Sequence, residues 1–152
     1  MPKSELFDRT EVLQRAMSIF RRSGYHGTSM QELVDAMGIN RSSIYNSFGD
    51  KQNLFKETLR LYREEQKSQT HNWLLEAAHA KEAIQLLFRG VEDEIVTDKQ
   101  NMGCFMTKST SEFGSSNVDF FEILTKNQRE METIFADLIS KGQETGDINP
   151  EL

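Results

Sequence analysis

Proline is nearly missing from this chain. Its 152 residues include only Pro2 and Pro150, and the 147 residues between them hold no helix breaker except glycine. That absence leaves the whole length open to helix. Cysteine is scarcer still: Cys104 stands alone, which excludes an internal disulfide framework. No run of 18 apolar residues occurs, so no segment is suited to cross a membrane as a helix. The opening MPKSELFDRTEV lacks an apolar signal region, and a cytoplasmic protein is expected. Histidines are few and scattered. His26, His71 and His79 do not make a zinc site, and Glu76 with His79 is half of a Glu-x-x-His pair lacking its second half. No metal or other cofactor is expected. The serine-rich STSEFGSS at 109–116 has no His and Asp placed to activate a hydroxyl, so it reads as a loop and no catalytic residue is assigned.

What is present is helix-forming sequence with an uneven charge. The length suits about one domain, or a small module fused to a larger one, and is enough to bury a real core. A net charge of −6 taken alone argues against a polyanionic partner. Residues 1–67, however, carry 11 Lys and Arg against 9 Asp and Glu, while residues 68–152 carry 7 against 15. Only the first part tolerates nucleic acid. The acidic excess of the second reads as solvated helix faces.

Apolar residues recur at helical spacing throughout. Asp8 with Glu11 is a capping-box-like start, after which Val12, Leu13, Ala16, Met17 and Phe20 repeat until Gly24. Thr28 with Gln31 forms a second such box, and Met30, Leu33, Val34 and Met37 follow up to Gly38. Asn40 caps a third helix running to about Phe48. Asp50 caps a fourth, through Leu54, Phe55, Leu59, Leu61 and Tyr62 to near Thr70. Further helices are predicted over Ala80 to Thr97, around Gly103 to Phe113, and from Val118 to about Gly142. The last carries Phe121, Leu124, Met131, Phe135 and Leu138 on one stripe. No alternation argues for a sheet. The fold class is all-α, and most Phe and Met residues are bundle core.

The second and third helices, joined by the turn Gly38–Asn40, have helix-turn-helix spacing. Gly38 supplies the left-handed backbone of the sharp turn. Leu33, Met37, Ile39, Ile44 and Phe48 point inward and fix the crossing. Arg41, Ser42, Ser43, Asn46 and Ser47 are left facing out. Small side chains let a helix sink into the major groove, where Arg forks to guanine, Asn to adenine, and Ser accepts either.

The run GYHGTSMQELVDAMGINRSSIYNSFGDKQNLF, Gly24 to Phe55, resembles the DNA-binding domain of the TetR family of bacterial transcriptional repressors. The resemblance rests on the Gly24-Tyr25 corner, the Thr opening the second helix, Gly38, the Tyr45 and Phe48 pair, and Lys51 opening the fourth helix. Beyond it, Gly103-Cys104-Phe105 followed by Glu112 is similar to one subgroup with its own type of ligand domain. The resemblance implies a helix-turn-helix domain at 1–50, joined by the fourth helix to a helical effector-binding and dimerisation domain at 51–152. It implies that Thr28, with Ser29 beside it, binds a DNA phosphate at a positive helix end, and that Tyr45 and Lys51 hold others. Arg41, Ser42, Ser43 and Asn46 are then placed to specify sequence. Against these stand plain readings: Tyr45 as core packing and Lys51 as a solvated residue, the latter opposed by its first-turn position. Val34 departs from the small Ala usual in such units. The chain also ends at Leu152, before the last helix that helps make the dimer in the family.

The implied partners are a near-palindromic double-stranded operator, a small apolar or electrophilic effector, and a second copy of the chain. Trp73, Phe88, Met102, Cys104, Phe105, Met106, Phe113 and Phe121 are candidates to line the effector pocket, although most are expected to prove plain core. Cys104 is expected to be buried and inert. Its other reading is a reactive thiolate with Lys108 one turn away. Two readings without a DNA role compete: an all-helical hydrolase, and a helical small-molecule carrier with a vestigial DNA arm.

Overall fold

All but one of the helices begin where a side chain caps free N–H groups; the exception is the helix that follows Cys104. The computed structural model describes residues 7–151, and the ends of the two expected domains, 1–6 and Leu152, lie outside them. Seven helices and no strand occur among the described residues: α1 (Arg9–Ser23), α2 (Met30–Met37), α3 (Arg41–Phe48), α4 (Lys51–Glu76), α5 (Ala80–Thr97), α6 (Phe105–Phe113) and α7 (Val118–Thr145). Asp8 accepts from the N–H groups of Thr10 and Glu11, Asn40 from Ser43, Asp50 from Asn53 and Asn117 from Asp119.

Two expected boundaries move. The second capping box is Ser29 with Glu32, one residue later than Thr28 with Gln31, because Thr28 turns inward and is buried. α4 runs to Glu76, past the expected end near Thr70. Trp73 and Leu74 continue its inner stripe, and neither glycine nor proline interrupts it.

α4 is the central member. It packs on α1 and α3 at one end and on α5, α6 and α7 further along, while α5 also packs against α7. The core follows α4 without a break. Phe55 meets Phe20 at 4.9 Å, Tyr25 at 5.1 Å, Phe120 at 5.0 Å and Phe105 at 5.5 Å between ring centroids. Most of these are edge contacts, each worth roughly 0.5–1.5 kcal/mol beyond area burial. Leu33, Met37, Ile44 and Phe48 are buried where α2 and α3 cross, and Ile39 packs partly buried against them. Gly38 turns that corner at φ 70°, ψ 20°, its N–H donating to the Val34 carbonyl. On α7, Phe120, Ile123 and Leu124 face inward, whereas Phe121, expected on the apolar stripe, is 46% exposed.

Candidate nucleic-acid interface and effector cavity

α3 stands on two inward side chains, Ile44 and Phe48, one turn apart. That register exposes Arg41, Ser42, Tyr45 and Asn46 and half-buries Ser43 and Ser47. The expectation that all the polar positions face out is corrected for these two serines: each precedes a buried position and shares its flank. The C-terminal end of α3 is held by Arg9, whose guanidinium donates to the Ser47 carbonyl at 2.9 Å, forks to Glu57 at 2.9 and 2.7 Å and lies 4.3 Å over the Phe48 ring.

At the start of α2, the Thr28 hydroxyl donates to the Gly24 carbonyl at 2.6 Å, which commits its proton inside the protein. Ser29 is the exposed residue there. Its hydroxyl accepts from Glu32 N–H at 3.2 Å, while its own N–H and O–H donate to the Glu32 carboxylate at 2.8 and 2.9 Å. Those bonds hold the Glu32 carboxyl below its ordinary range. Lys51 opens α4 half-buried, its Nζ 4.4 Å from the Tyr25 ring centre. Burial lowers its pKa, against the opposing pull of Glu112 and Glu32.

Sequence reasoning noted Glu112 without a role. Its carboxylate accepts from the N–H groups of Tyr25 and His26 at 2.9 and 2.8 Å and contacts His26 Nδ1 at 2.9 Å. α6 thereby grips the corner between α1 and α2. Burial alone would raise Glu112; the His26 and Tyr25 donors overcome it and hold the carboxyl below its usual value. A second grip lies beside it. Arg21 on α1 donates to the Gly103 carbonyl at 3.0 Å, and Lys108 on α6 donates to the Arg21 carbonyl at 2.6 Å. Both joints link residues more than eighty positions apart, so no local pattern announces them.

Between α4, α5, α6 and α7 lies a cavity of about 790 Å³, within the range of small-molecule sites. Of the eight candidates, Trp73, Phe88, Cys104 and Met106 line it. The other four do not. Met102 borders a smaller hollow of about 320 Å³ beside Arg21. Phe105 and Phe113 are buried in the aromatic core around Phe55, and Phe121 faces outward. The benzo ring of Trp73 packs against α5 at Gly90, where an added Cβ would come within 2.2 Å of it.

Cys104 is exposed, not buried as expected, because it precedes α6 as its capping residue and does not sit inside the helix. The Lys108 amine beside it is engaged by Arg21. Tyr62 donates to Glu94 at 3.2 Å. Burial, then the neighbouring Cys104 and Glu94, push its phenol well above the usual range. Sequence reasoning also missed Arg63 on α4, which donates to Glu130 on α7 at 2.6 Å. Its signal was available: it follows Tyr62 on the inward stripe of Phe55 and Leu59, at a register that ordinarily carries an apolar residue.

Comparison with known proteins agrees with this geometry. Residues 12–58 match the family described as bacterial regulatory proteins, tetR family. Over 151 residues the chain is 26% identical to the uncharacterized HTH-type transcriptional regulator YezE of Bacillus subtilis, covering 99% of this chain and 78% of YezE. It is 25% identical over 149 residues to the HTH-type transcriptional repressor ComR of Escherichia coli, covering 97% and 71%. Among solved structures, a cysteine mutant of the TetR family transcriptional regulator CifR, complexed with 26 bp double-strand operator DNA, superposes with a TM-score of 0.85. That match has 27% identity and covers 99% of this chain and 78% of CifR.

Proposed function

This chain belongs to the TetR family of bacterial regulatory proteins and is a DNA-binding transcriptional regulator, not an enzyme; from that premise we propose that it is a cytoplasmic repressor released from its operator by a small molecule. Residues 1–50 form the DNA-binding domain and residues 51–152 the effector-binding and dimerisation domain. Arg41, Ser42, Ser43 and Asn46 meet base edges, with Ser43 the least reachable. Tyr45 and Lys51 hold phosphates, and Ser29, exposed at the start of α2, holds another when its hydroxyl turns from Glu32 toward the DNA. Thr28, its hydroxyl engaged by Gly24, contributes by shaping the helix start whose N–H groups face the phosphate. That CifR is complexed with operator DNA supports a DNA-binding role for the same fold.

The observation that carries the reading is the Glu112 joint. The exposed reading helix and the cavity are two sites, and α6 touches both: Met106 and Thr107 line the cavity while Glu112 grips the corner that starts α2. A ligand that moves α6 therefore moves the head. For release it must favour the DNA-incompetent arrangement by the free energy it takes from DNA binding. The effector is a small apolar compound held against Trp73, Phe88 and Met106, or an electrophile that reaches the exposed Cys104.

The working unit is a homodimer on a near-palindromic operator, because one helix-turn-helix reads one half-site. The test is selection of bound sites from random duplex DNA, followed by titration of that complex with hydrophobic compounds. Quenching of Trp73, the single tryptophan, in parallel with DNA release supports the reading. No enriched sequence, or release without any change in Trp73, sinks it.

A further inference from the structure

Arg63 is out of keeping with its surroundings. It is 9% exposed, on the face of α4 that buries Leu59 and Tyr62, and it lines the apolar cavity. One terminal nitrogen donates to Glu130, yet Nε has no hydrogen-bond partner among the described residues. A buried charge whose donors are only partly matched is costly, and one good contact offsets only part of its desolvation.

The cavity's acidic groups are already answered. Glu94 accepts the Tyr62 phenol and lies 3.8 Å from Arg21, and Glu130 accepts from Arg63. Around Glu130 the field is positive, since Lys67 and Lys126 add to Arg63 in holding its carboxyl below the usual range. Glu64 stands exposed in solvent on the lining. The unmet demand of this cavity is for an acceptor, not for a cation.

We propose that the cavity takes an amphipathic organic acid, whose apolar body lies against Trp73, Phe88 and Met106 and whose carboxylate docks on the Arg63 guanidinium. The proposal rests on reading this cavity as a ligand site. Nε lies below the surface, so the incoming oxygen reaches the guanidinium by a small rotation of Arg63 and competes with Glu130 for it. Binding thus loosens the one ion pair by which Arg63 ties α4 to α7.

The test uses the full chain and three probes of one chain length, dodecanoate, dodecanol and dodecylamine, each below its micellar concentration. Binding is read from Trp73 emission and DNA release from a separate assay. Dodecanoate should bind about tenfold or more tighter than the other two, the scale of a charge-assisted contact. Arg63→Met should erase that preference while leaving dodecanol affinity in place. Should Arg63→Met fail to fold, Glu130→Gln serves instead: freeing the guanidinium should tighten dodecanoate and not dodecylamine. Equal affinities, tighter binding of the amine, no binding of any probe, or a Glu130→Gln variant that fails to tighten dodecanoate overturns the proposal. Dodecanoate preference without DNA release upholds the acid-binding site and removes the effector reading. DNA release by all three probes alike does the reverse.

Discussion

Arg41 and Lys51 are both cations near the reading helix, but their settings differ, and so should their substitutions. Arg41 is exposed at the start of α3 with its guanidinium free to fork. Arg41→Ala should cost about 1–3 kcal/mol on the preferred site and little on random duplex. Lys51 is half-buried over Tyr25. Lys51→Ala should weaken all duplexes alike and reduce the salt-dependence slope by about one per half-site, because one counterion-releasing contact is lost. Ile44→Ala is the control. It opens a cavity under α3 costing roughly 2–5 kcal/mol, and specific and nonspecific binding should fall together. Titrations on selected and scrambled duplexes across a salt series separate the three. Unchanged affinities in both cation variants would take α3 out of the groove. Cys104 invites a second test at this scale. Since it is exposed at the edge of the cavity, a thiol-reactive electrophile should lower DNA affinity in the parent and not in Cys104→Ser. Equal responses would assign the residue to structure alone. Neither its exposure nor the burial of Arg63 was legible from residue type, which places cysteine inside and arginine outside on average. Position decides otherwise: one precedes its helix, and the other falls on an inward stripe.

Three helix starts were well written in the sequence, since Asp8, Asn40 and Asp50 each accept from the first turn they precede. The match of α5 to Ala80–Thr97 follows from the same clear periodicity. What the sequence left undecided was which helix each aromatic faces. All three of Phe105, Met106 and Phe113 on α6 join the core, and Met106 also borders the cavity, while Phe105 and Phe113 pack against Phe55 and Phe120. The Glu112 joint is likewise tertiary, and it makes a prediction for the element that carries it. Glu112→Gln keeps one acceptor but loses the charge that three donors converge on. It should destabilise the chain by about 1–2 kcal/mol, a charged hydrogen bond discounted for partial exposure. More tellingly, it should weaken the effect of any cavity ligand on DNA affinity. The pH dependence has a definite sign. The folded pKa of Glu112 is depressed, so its contribution is complete above the ordinary carboxylate value and fades as pH falls through the lower folded value. Melting curves from neutral pH into that acid range should show a steeper loss for the parent than for Glu112→Gln. Parallel curves, with ligand response intact, would reduce the joint to passive packing.

On the scale of the molecule, the charge division follows the helices: residues 1–67, with 11 Lys and Arg against 9 Asp and Glu, carry α3 and the first part of α4, and the acidic excess lies on residues 68–152, which supply most of the helices around the cavity. Self-association is the property that this scale must supply. The apolar stripe of α7, the longest in the chain and a natural surface for self-association, is largely spent inside: Phe120, Ile123 and Leu124 are buried, and Met131, Phe135 and Leu138 are half-buried. Apolar side chains are left uncovered chiefly on α5, where Phe88, Val91 and Ile95 recur at helical spacing and are 63%, 53% and 71% exposed; Phe88 and Val91 border the mouth of the cavity, and Ile95 and Val96 lie beyond it. A contiguous apolar face of this kind on a polar chain marks a contact surface. Isologous pairing through it would bring the same helix of two copies together, as two-fold symmetry requires. Sedimentation at micromolar concentration should therefore show a dimer for the parent and a shift toward monomer for Ile95→Lys. Ile95 is chosen because it lies outside the cavity lining, so ligand binding read from Trp73 should survive the change. Binding to a two-half-site operator should fall steeply in Ile95→Lys, while binding to a single half-site should hardly change. A parent that sediments as a monomer, or an Ile95→Lys variant that dimerises as well as the parent, removes α5 as the interface.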